Sequence, residues 1–309
     1  MTSPSLAQPA EVLRRLELTI TRRLDGVLHG DHRGLTPGHG FDPGDARLYV
    51  PGDDVRRIDW NVTARTQAPH VRDTIADREL ETWLLLDLSA SLDFGTADCE
   101  KRDLVLAAAA AVGFLTQRGG NRLGAVLLGG GGRAETVPAR GGRDHLRAVL
   151  HRIVTAPRME GAGAADFAGG LTRLDRSMRR RGLAVVISDW LDAFTPADVA
   201  QPLRRLGVRH DLLCVEVVDP RELELPNVGV LDFVDPETGR RREIQTSDAA
   251  LRGRFAAAAS ARRAALAHAF RAAGADHLAL RTDRDWLADI VTFATTRPAR
   301  MAALVRARA

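Results

Sequence analysis

Along most of the chain, short apolar runs alternate with longer segments whose apolar residues recur at helical spacing. The runs at 83–86 and 183–187 are too short for a lone helix and end in polar residues, a pattern typical of buried strands. Strands that alternate with helices predict a parallel sheet with helices on both faces. We therefore expect an α/β fold built on a doubly wound, mostly parallel sheet.

The same pattern predicts the individual elements. Predicted strands cover residues 81–88, 122–128, 134–138, 183–188, 210–218 and 276–281, and predicted helices cover 10–28, 98–118, 144–154, 167–181, 196–206, 248–273 and 285–296. A further strand at 70–76 is expected to pair back on 81–88. Residues 220–245 interrupt the alternation and predict two or three antiparallel strands with a hairpin turn at 235–239.

These elements divide the chain into three parts. Residues 1–79 hold an amphipathic helix, a loop and a charged segment, and residues 298–309 form a C-terminal tail. The α/β domain covers residues 80–297 and carries a small β insertion at 219–247. The apolar face of the first helix, which includes Leu13, Leu16 and Ile20, is expected to pack on the main domain.

Composition and charge narrow the class of protein. A chain of 309 residues, 45% of them hydrophobic, can bury a sizeable core. We expect a cytoplasmic protein, because two cysteines are too few for a disulfide framework and neither a membrane-spanning stretch nor a secretory signal is evident. The net charge of +4 is mild, and the arginine clusters at 179–181 and 240–242 have few aromatic neighbours. We interpret both clusters as solvated surface, with nucleic-acid binding as the weaker alternative.

Three oxygen-bearing side chains lie at the end of the strand at 81–88. Asp87, Ser89 and Ser91 are spaced so that extended backbone turns all three to one side, and Asp189 directly follows the strand at 183–188. Ligands of doubly wound sheets bind beyond the carboxyl ends of the strands, where the strand order reverses. If these two strands are neighbours, both aspartates meet across one crevice with the serine hydroxyls between them. Carboxylate and hydroxyl oxygens are hard ligands, so the pattern predicts a site for Mg²⁺ or Mn²⁺.

Three other interpretations use the same residues. A nucleophilic serine would need a G-x-S-x-G elbow, which neither Ser89 nor Ser91 has. A metal-dependent phosphohydrolase would use Asp87 as nucleophile, but Ser89 occupies the position where an acid is required to protonate the leaving group. In the third interpretation, Asp87 and the two serines only cap a turn.

A longer stretch of the chain carries a more specific resemblance. It resembles the signature of the domain-of-unknown-function family 58, and the matching residues are Arg47, Tyr49, Gly52, Asp53, Arg56, Ile58, Asp59, Trp60, Thr63, Ala64 and Arg65. The stretches at 187–189 and 219–226 also resemble this family. The Asp-x-Ser-x-Ser pattern at 87–91, with the later Asp189, resembles the metal-ion-dependent adhesion site of von Willebrand factor A domains.

The resemblance implies a von Willebrand A-like, Rossmann-type domain preceded by a family-specific N-terminal segment. Members of the family often accompany MoxR-type AAA+ ATPases. The implied function is therefore a non-enzymatic adaptor that works with such an ATPase, in a chaperone-like role, on the assembly or activation of a client protein.

The resemblance also implies which residues hold the cation. The metal ligands would be Asp87, Ser89, Ser91 and Asp189. Adhesion sites of this kind take a threonine from a separate loop, but this chain has Ala165 at that position, which implies weaker binding of Mg²⁺ or Mn²⁺. The neighbouring Asp166 either compensates for the missing hydroxyl or caps a helix.

The charged segment at 47–65 has two interpretations. It is either a docking surface or a structural clasp, and its candidate interaction residues are Arg47, Tyr49, Asp53, Arg56, Asp59, Trp60 and Arg65. Burial of Tyr49 and Trp60, with Asp53 paired to an arginine, would favour the clasp.

Overall fold

The computed structural model describes residues 13, 14, 16, 18–20, 46–50, 55, 58–72, 81–118, 120–158, 161, 163–191 and 196–308. Two compact units are present, one formed by residues 37–79 and the other by residues 1–36 together with 80–309. Within the described part of the chain, no helix has the length and apolar character needed to cross a bilayer.

Within the α/β domain, the described helices and strands follow one another in the order that the hydrophobic pattern predicts. The strands are β1 (Ala46–Leu48), β2 (His70–Arg72), β3 (Glu81–Asp87), β4 (Arg122–Gly129), β5 (Arg133–Arg140), β6 (Leu183–Ser188), β7 (Asp211–Val218), β8 (Val230–Val234), β9 (Arg241–Gln245) and β10 (Asp276–Arg281). The helices are α1 (Trp60–Thr66), α2 (Lys101–Arg118), α3 (Arg143–Thr155), α4 (Phe167–Ser177), α5 (Pro196–Arg209), α6 (Ala249–Ala272) and α7 (Trp286–Arg308).

The large unit is organised around a six-stranded sheet with β3 near its centre. The strand order is β10-β7-β6-β3-β4-β5, and every neighbouring pair is parallel except β4 and β5. The chain moves outward from β3 through β4 and β5, and then returns to the other side of β3 with β6. The strand order therefore reverses between β3 and β6, which is where doubly wound sheets bind ligands. The expected α/β class and mostly parallel sheet are confirmed.

Two hydrophobic clusters cover the two faces of this sheet. Successive side chains of a strand point to opposite faces, so Leu84 and Leu86 of β3 join one cluster while Trp83 and Leu85 join the other. Helices α2, α3 and α7 complete the first cluster, and α4, α5 and α6 complete the second. Ile20 is fully buried in the first cluster, so the described residues of the N-terminal helix pack on the main domain as predicted.

Three predicted elements differ from the structure. The strand at 70–76 does not pair with β3, because β4 and β6 occupy both edges of β3; instead β2 pairs antiparallel with β1. Helix α2 begins at Lys101 and not at Asp98. Helix α7 continues to Arg308 through residues expected to form a tail, since Pro298 does not end it as prolines commonly do.

The small unit is a local arrangement of two short strands around α1. The Tyr49 N–H donates to Pro69 O (2.8 Å), and the Asp59 N–H donates to His70 O (2.8 Å). The Asp59 carboxylate caps α1 by accepting the Asn61 and Val62 N–H groups at 3.0 and 3.2 Å. The charged segment therefore contains a folded strand–helix–strand motif of its own.

The β insertion forms a single hairpin of β8 and β9. The two strands pair antiparallel from Val230 opposite Gln245 to Val234 opposite Arg241. The predicted turn at 235–239 is present, with the Gly239 N–H donating to Asp235 O at 2.8 Å. Gly239 has a φ of 69°, a left-handed conformation that suits glycine.

Acidification is expected to weaken the fold through His210, which lies between α5 and β7. Its side chain is buried, and no hydrogen-bond partner in the described part of the chain reaches either ring nitrogen. Burial, assisted by the nearby Arg209, lowers the pKa of His210 below its ordinary value of 6.5. The unfolded chain therefore takes up this proton more readily, so stability is full above pH 6.5 and is lost as the pH falls toward the folded-state pKa.

The matched variant is His210→Leu, which removes the titrating ring. We expect it to be more stable than the wild type by about 1 kcal/mol below pH 6, since no buried polar group is left unpaired. Urea unfolding at several pH values between 5 and 8 measures the difference. A pH dependence identical to that of the wild type would contradict this role of His210.

Candidate functional site

The pairing of β3 with β6 brings the two predicted aspartates together. Leu86 lies opposite Ile187 in the parallel register, so Asp87 and Ser188 reach the same level at the carboxyl ends of their strands. The Ser188 hydroxyl donates to Asp87 Oδ2 at 2.8 Å. Asp189 follows directly, and both aspartates are buried. The two strands are therefore neighbours, and their terminal acidic residues come together as the sequence predicts.

The loop after β3 folds the two serines over Asp87. The Ser89 N–H donates to Asp87 Oδ1 at 3.0 Å, and a single 3₁₀ turn follows at Ala90–Leu92. The hydroxyl oxygens of Ser89 and Ser91 lie 3.2 Å apart, and both side chains are buried. In an octahedral Mg²⁺ site with ligands at about 2.1 Å, adjacent ligand oxygens are about 3 Å apart. The two hydroxyls therefore have the spacing of adjacent ligands of such an ion.

A buried lysine that sequence reasoning missed also belongs to this site. Lys101 Nζ lies 2.5 Å from Asp189 Oδ2 and 2.5 Å from Glu222 Oε1. Burial alone would lower the pKa of Lys101, but the charges of Asp189 and Glu222 outweigh it and raise that pKa. The ammonium is therefore charged and committed to these two carboxylates. The available signal was that Lys101 is the only lysine in the sequence.

Glu222 is held by the loop that follows β7. Its Oε2 accepts the Asp219 N–H at 3.0 Å, while Asp219 accepts the Arg221 N–H at 2.9 Å, which completes a capping box around a short 3₁₀ turn. Asp219 also accepts the Thr96 and Thr282 hydroxyls, at 2.6 and 2.9 Å. These bonds join the loops after β3, β7 and β10 into one polar rim.

A fourth carboxylate reaches the site from the β8–β9 hairpin. The Ser91 N–H donates to Glu237 Oε1 at 3.3 Å, and Glu237 is half-buried. The hairpin turn is fixed to the loop before α4, because the Gly161 N–H donates to Pro236 O (3.0 Å) and the Gly163 N–H donates to Glu237 O (3.1 Å). Sequence reasoning identified the turn but not its approach to the predicted site.

The site holds more carboxyl groups than cationic side chains among the described residues. Burial, followed by the charge of Asp189, raises the pKa of Asp87. Burial also raises the pKa of Glu237, and the charges of Asp87 and Asp189 add to that effect. Among the ion pairs of the described residues, Lys101 binds Asp189 and Glu222, and none includes Asp87 or Glu237. The arrangement would therefore be stabilised by a further cation.

Position 165, where adhesion sites of this kind have a threonine, is an alanine and therefore provides no side-chain oxygen. Ala165 packs against the hydrophobic cluster on that face of the sheet. Asp166 is exposed and caps α4 by accepting the Gly169 N–H at 2.9 Å. Of the two roles considered for Asp166, the structure shows the helix cap.

The donors at the site fit a hydroxyl-rich cation centre and not one built from carboxylates and imidazoles. Among the described residues, no three His, Cys, Asp or Glu side chains come close enough to hold a metal ion by themselves. Both oxygens of Asp87 and of Asp189 already accept hydrogen bonds or the Lys101 ammonium. The two hydroxyls and Glu237 are thus the groups best placed for direct coordination. Glu237 Oε2 is buried, and no donor within the described chain reaches it.

The residues of the charged segment are described only in part. Asp53 and Arg56 lie outside the described residues, and Arg47 is described only as backbone of β1. Asp59 caps α1, and Arg65 Nε donates to Asn61 O at 3.3 Å. Trp60 is 70% exposed, whereas Tyr49 is half-buried. The exposure of Trp60 does not match the burial expected of a clasp.

Removal of the Lys101 ammonium is expected to destabilise the protein strongly. In Lys101→Met, Asp189 and Glu222 remain buried without their cation, which should lower the free energy of unfolding by about 3–5 kcal/mol. Urea denaturation measures the loss. The double variant Lys101→Met/Glu222→Gln should recover part of it, because one of the two unpaired charges is then absent. A loss below 1 kcal/mol in the single variant would show that Lys101 is not needed to offset these charges.

Comparison with solved structures finds two similar chains. BatB from Bacteroides thetaiotaomicron is similar with a TM-score of 0.45 and 13% identity, covering 72% of this chain and 99% of that chain. The SpRpn10 VWA domain is similar with a TM-score of 0.44 and 12% identity, covering 69% of this chain and 93% of that chain.

Sequence comparison identifies the family. Rv1480, an uncharacterized protein of Mycobacterium tuberculosis, is 57% identical over 288 residues, which are 93% of this chain and 89% of the relative. MAV169, an uncharacterized protein of Mycobacterium avium, is 47% identical over 161 residues, 52% of this chain and 93% of that protein. The profile of the family described as "Protein of unknown function DUF58" matches residues 45–265. The resemblance drawn from the signature residues is thus confirmed, and the chain belongs to the DUF58 family.

Proposed function

We propose that this protein is a non-enzymatic interaction module that binds another protein through a divalent cation held at the carboxyl ends of β3 and β6. We further propose that it works in the cytoplasm with a MoxR-type AAA+ ATPase, in a chaperone-like role on a client protein. The observation that carries the proposal is the pair of buried carboxyl groups, Asp87 and Asp189, beside two serine hydroxyls at the point where the strand order reverses. Buried carboxyl groups in their ionised form are stabilised by a nearby cation, and carboxylate and hydroxyl oxygens are ligands that suit Mg²⁺ or Mn²⁺.

Each residue of the site has a distinct role in this proposal. Ser89 and Ser91 supply direct ligands, since their hydroxyl oxygens are 3.2 Å apart and face each other. Asp87 and Asp189 supply charge and act through water, because their oxygens already hold backbone and side-chain donors. A bound cation would offer free coordination positions to a carboxylate of the partner. The alanine at position 165 makes this a degenerate form of the adhesion site, with a correspondingly lower affinity.

An interaction module fits these residues better than the phosphohydrolase considered above. Asp87 is completely buried and accepts hydrogen bonds on both oxygens, so its carboxylate is poorly placed to attack a phosphoryl group. Ser89, two residues on, cannot serve as the acid for a leaving group. The Ser89 and Ser91 hydroxyls hydrogen-bond to each other. His145 hydrogen-bonds to Leu123 O, and His277 hydrogen-bonds to Glu216. These contacts do not support a histidine base that would activate a nucleophilic serine.

The small unit is the proposed docking surface for the ATPase. Trp60 is 70% exposed at the start of α1, and Leu48, Val50 and Val55 of the same unit are also exposed. Exposed tryptophans are frequent hot spots of protein interfaces, because a large apolar surface is desolvated there on binding. The rigid cap of Asp59 on α1 would keep this side chain in place.

Cation binding tests the proposed site directly. Isothermal titration with Mg²⁺ and Mn²⁺ should detect one site in the wild type and none in Ser89→Ala/Ser91→Ala, which loses both hydroxyl ligands. Ser177→Ala is the matched control, because its hydroxyl donates to Arg173 O within α4, away from the site. Ala165→Thr should tighten binding by restoring a hydroxyl, by about tenfold. Equal affinity of the wild type and the double serine variant would contradict the site, and Asp87-dependent hydrolysis of a phosphate ester would contradict the non-enzymatic proposal.

The docking surface is tested by substitution of its exposed tryptophan. Trp60→Ala should change the free energy of unfolding by less than about 0.5 kcal/mol, because the side chain is largely solvated. It should nevertheless reduce co-purification with a MoxR-type ATPase from the same organism by at least about tenfold, as expected of a hot spot. Val208→Ala, which changes an apolar residue that is 85% exposed on the large unit, is the control. Undiminished capture by Trp60→Ala would rule out this surface.

A further inference from the structure

The β8–β9 hairpin brings a carboxylate to the loop that carries the two serines. The Ser91 N–H donates to Glu237 Oε1 at 3.3 Å, although the two residues are 146 positions apart in the chain. Two backbone bonds, from Gly161 to Pro236 O and from Gly163 to Glu237 O, fix the hairpin turn at this place. The position of Glu237 is thus fixed by two backbone hydrogen bonds of the hairpin turn, in addition to the contact of its side chain with Ser91.

One oxygen of this carboxylate lacks a hydrogen-bond partner among the described residues. Glu237 Oε2 is buried, and no donor in the described part of the chain forms a hydrogen bond with it. A buried carboxylate oxygen without a donor or a cation is costly, because nothing offsets its desolvation. The only lysine of the chain is already bound to Asp189 and Glu222, so it does not serve Glu237. The hairpin therefore presents a buried carboxyl oxygen that lacks a donor among the described residues, on a side chain that contacts the Ser91 backbone N–H.

The same hairpin is anchored to the loop from which the threonine is missing. Gly161 and Gly163 belong to the segment that ends in Ala165, and both donate to the hairpin turn. The hairpin turn that carries Glu237 is therefore fixed to the segment in which the threonine is missing. Carboxylate oxygens are at least as good as hydroxyls as ligands of Mg²⁺ and Mn²⁺.

We propose that Glu237 is a direct ligand of the cation, replacing the hydroxyl that Ala165 cannot provide. The cation would then be held by Ser89, Ser91 and Glu237, with Asp87 and Asp189 behind them. This inference rests on the proposed cation site and adds to it a residue outside the adhesion-site pattern. It also couples the hairpin to the cation, because Glu237 belongs to the turn between β8 and β9. A carboxylate of a protein partner would have to share the cation with Glu237 or displace it.

Manganese titration of the full-length protein, followed by electron paramagnetic resonance of free Mn²⁺, tests the assignment. Glu237→Gln keeps the shape of the side chain and removes its charge, so the dissociation constant for Mn²⁺ should rise by at least about tenfold. Glu243→Gln is the matched control on the same hairpin, since Glu243 is exposed on β9, and its affinity should stay within about twofold of the wild type. Adding Ala165→Thr to Glu237→Gln should restore part of the affinity.

The outcomes of this titration distinguish the assignment of Glu237 from the proposal of the cation site itself. Wild-type affinity in Glu237→Gln, or tighter binding, would overturn the assignment of Glu237 and leave the cation site at the serines intact. Absence of Mn²⁺ binding to the wild-type protein would overturn both. Loss of binding in Glu237→Gln and in Glu243→Gln alike would also overturn the assignment, because the effect would then follow the charge of the hairpin and not one ligand.

Hydrogen exchange provides a second measurement that needs no variant of Glu237. If the cation binds Glu237, saturating Mg²⁺ should slow amide exchange of the hairpin turn at 235–239 in the wild type. The same addition should leave the turn unchanged in Ser89→Ala/Ser91→Ala. Equal exchange of the turn with and without Mg²⁺, in a wild-type protein shown by titration to bind the ion, would contradict the coupling.

Discussion

The concentration of negative charge between β3 and β6 is the constraint on which the rest of the site depends. Asp87 and Asp189 are buried side by side, and the charge of Asp189 helps to raise the pKa of Asp87. Buried carboxylates of this kind destabilise a fold unless cations or hydrogen-bond donors offset them. Lys101 offsets part of the charge from the first turn of α2, and the Ser188 hydroxyl and the Ser89 N–H satisfy the oxygens of Asp87. The remaining imbalance is the physical reason to expect a further cation.

The topology of the sheet explains why these carboxyl groups lie together. Parallel strands deliver their carboxyl ends to one edge, and the return of the chain from β5 to β6 places the strand-order reversal between β3 and β6. The long connection between β7 and α6 contains both Glu222 and the β8–β9 hairpin, so this insertion supplies two of the four carboxylates at that edge. An insertion that looks peripheral in the sequence is therefore part of the site.

The sequence predicted those features that have a local signal. The apolar runs before Asp87 and Asp189 identified β3 and β6, and the rule for doubly wound sheets placed their ends together. Lys101, Glu222 and Glu237 were missed, because they reach their partners Asp189, Lys101 and Ser91 over 88, 121 and 146 positions. Contacts between residues so far apart in the sequence produce no periodic sequence pattern. A lysine near the start of a helix is, moreover, typical of solvated surface. The predicted pairing of β2 with β3 was wrong for a related reason. The two strands are close in sequence, but this closeness did not reveal that β4 and β6 occupy both edges of β3.

Thermal unfolding of the wild type and of Asp87→Asn, with and without Mg²⁺ at constant ionic strength, tests the central claim most directly. If excess negative charge makes this a cation site, Mg²⁺ should raise the melting temperature of the wild type, because a ligand that binds only the folded state stabilises it. Without Mg²⁺, Asp87→Asn should melt at or above the wild-type temperature, since one buried charge is removed, and Mg²⁺ should stabilise it less. A wild-type melting temperature that Mg²⁺ leaves unchanged, together with a marked loss of stability in Asp87→Asn, would contradict the claim and leave Asp87 a purely structural residue.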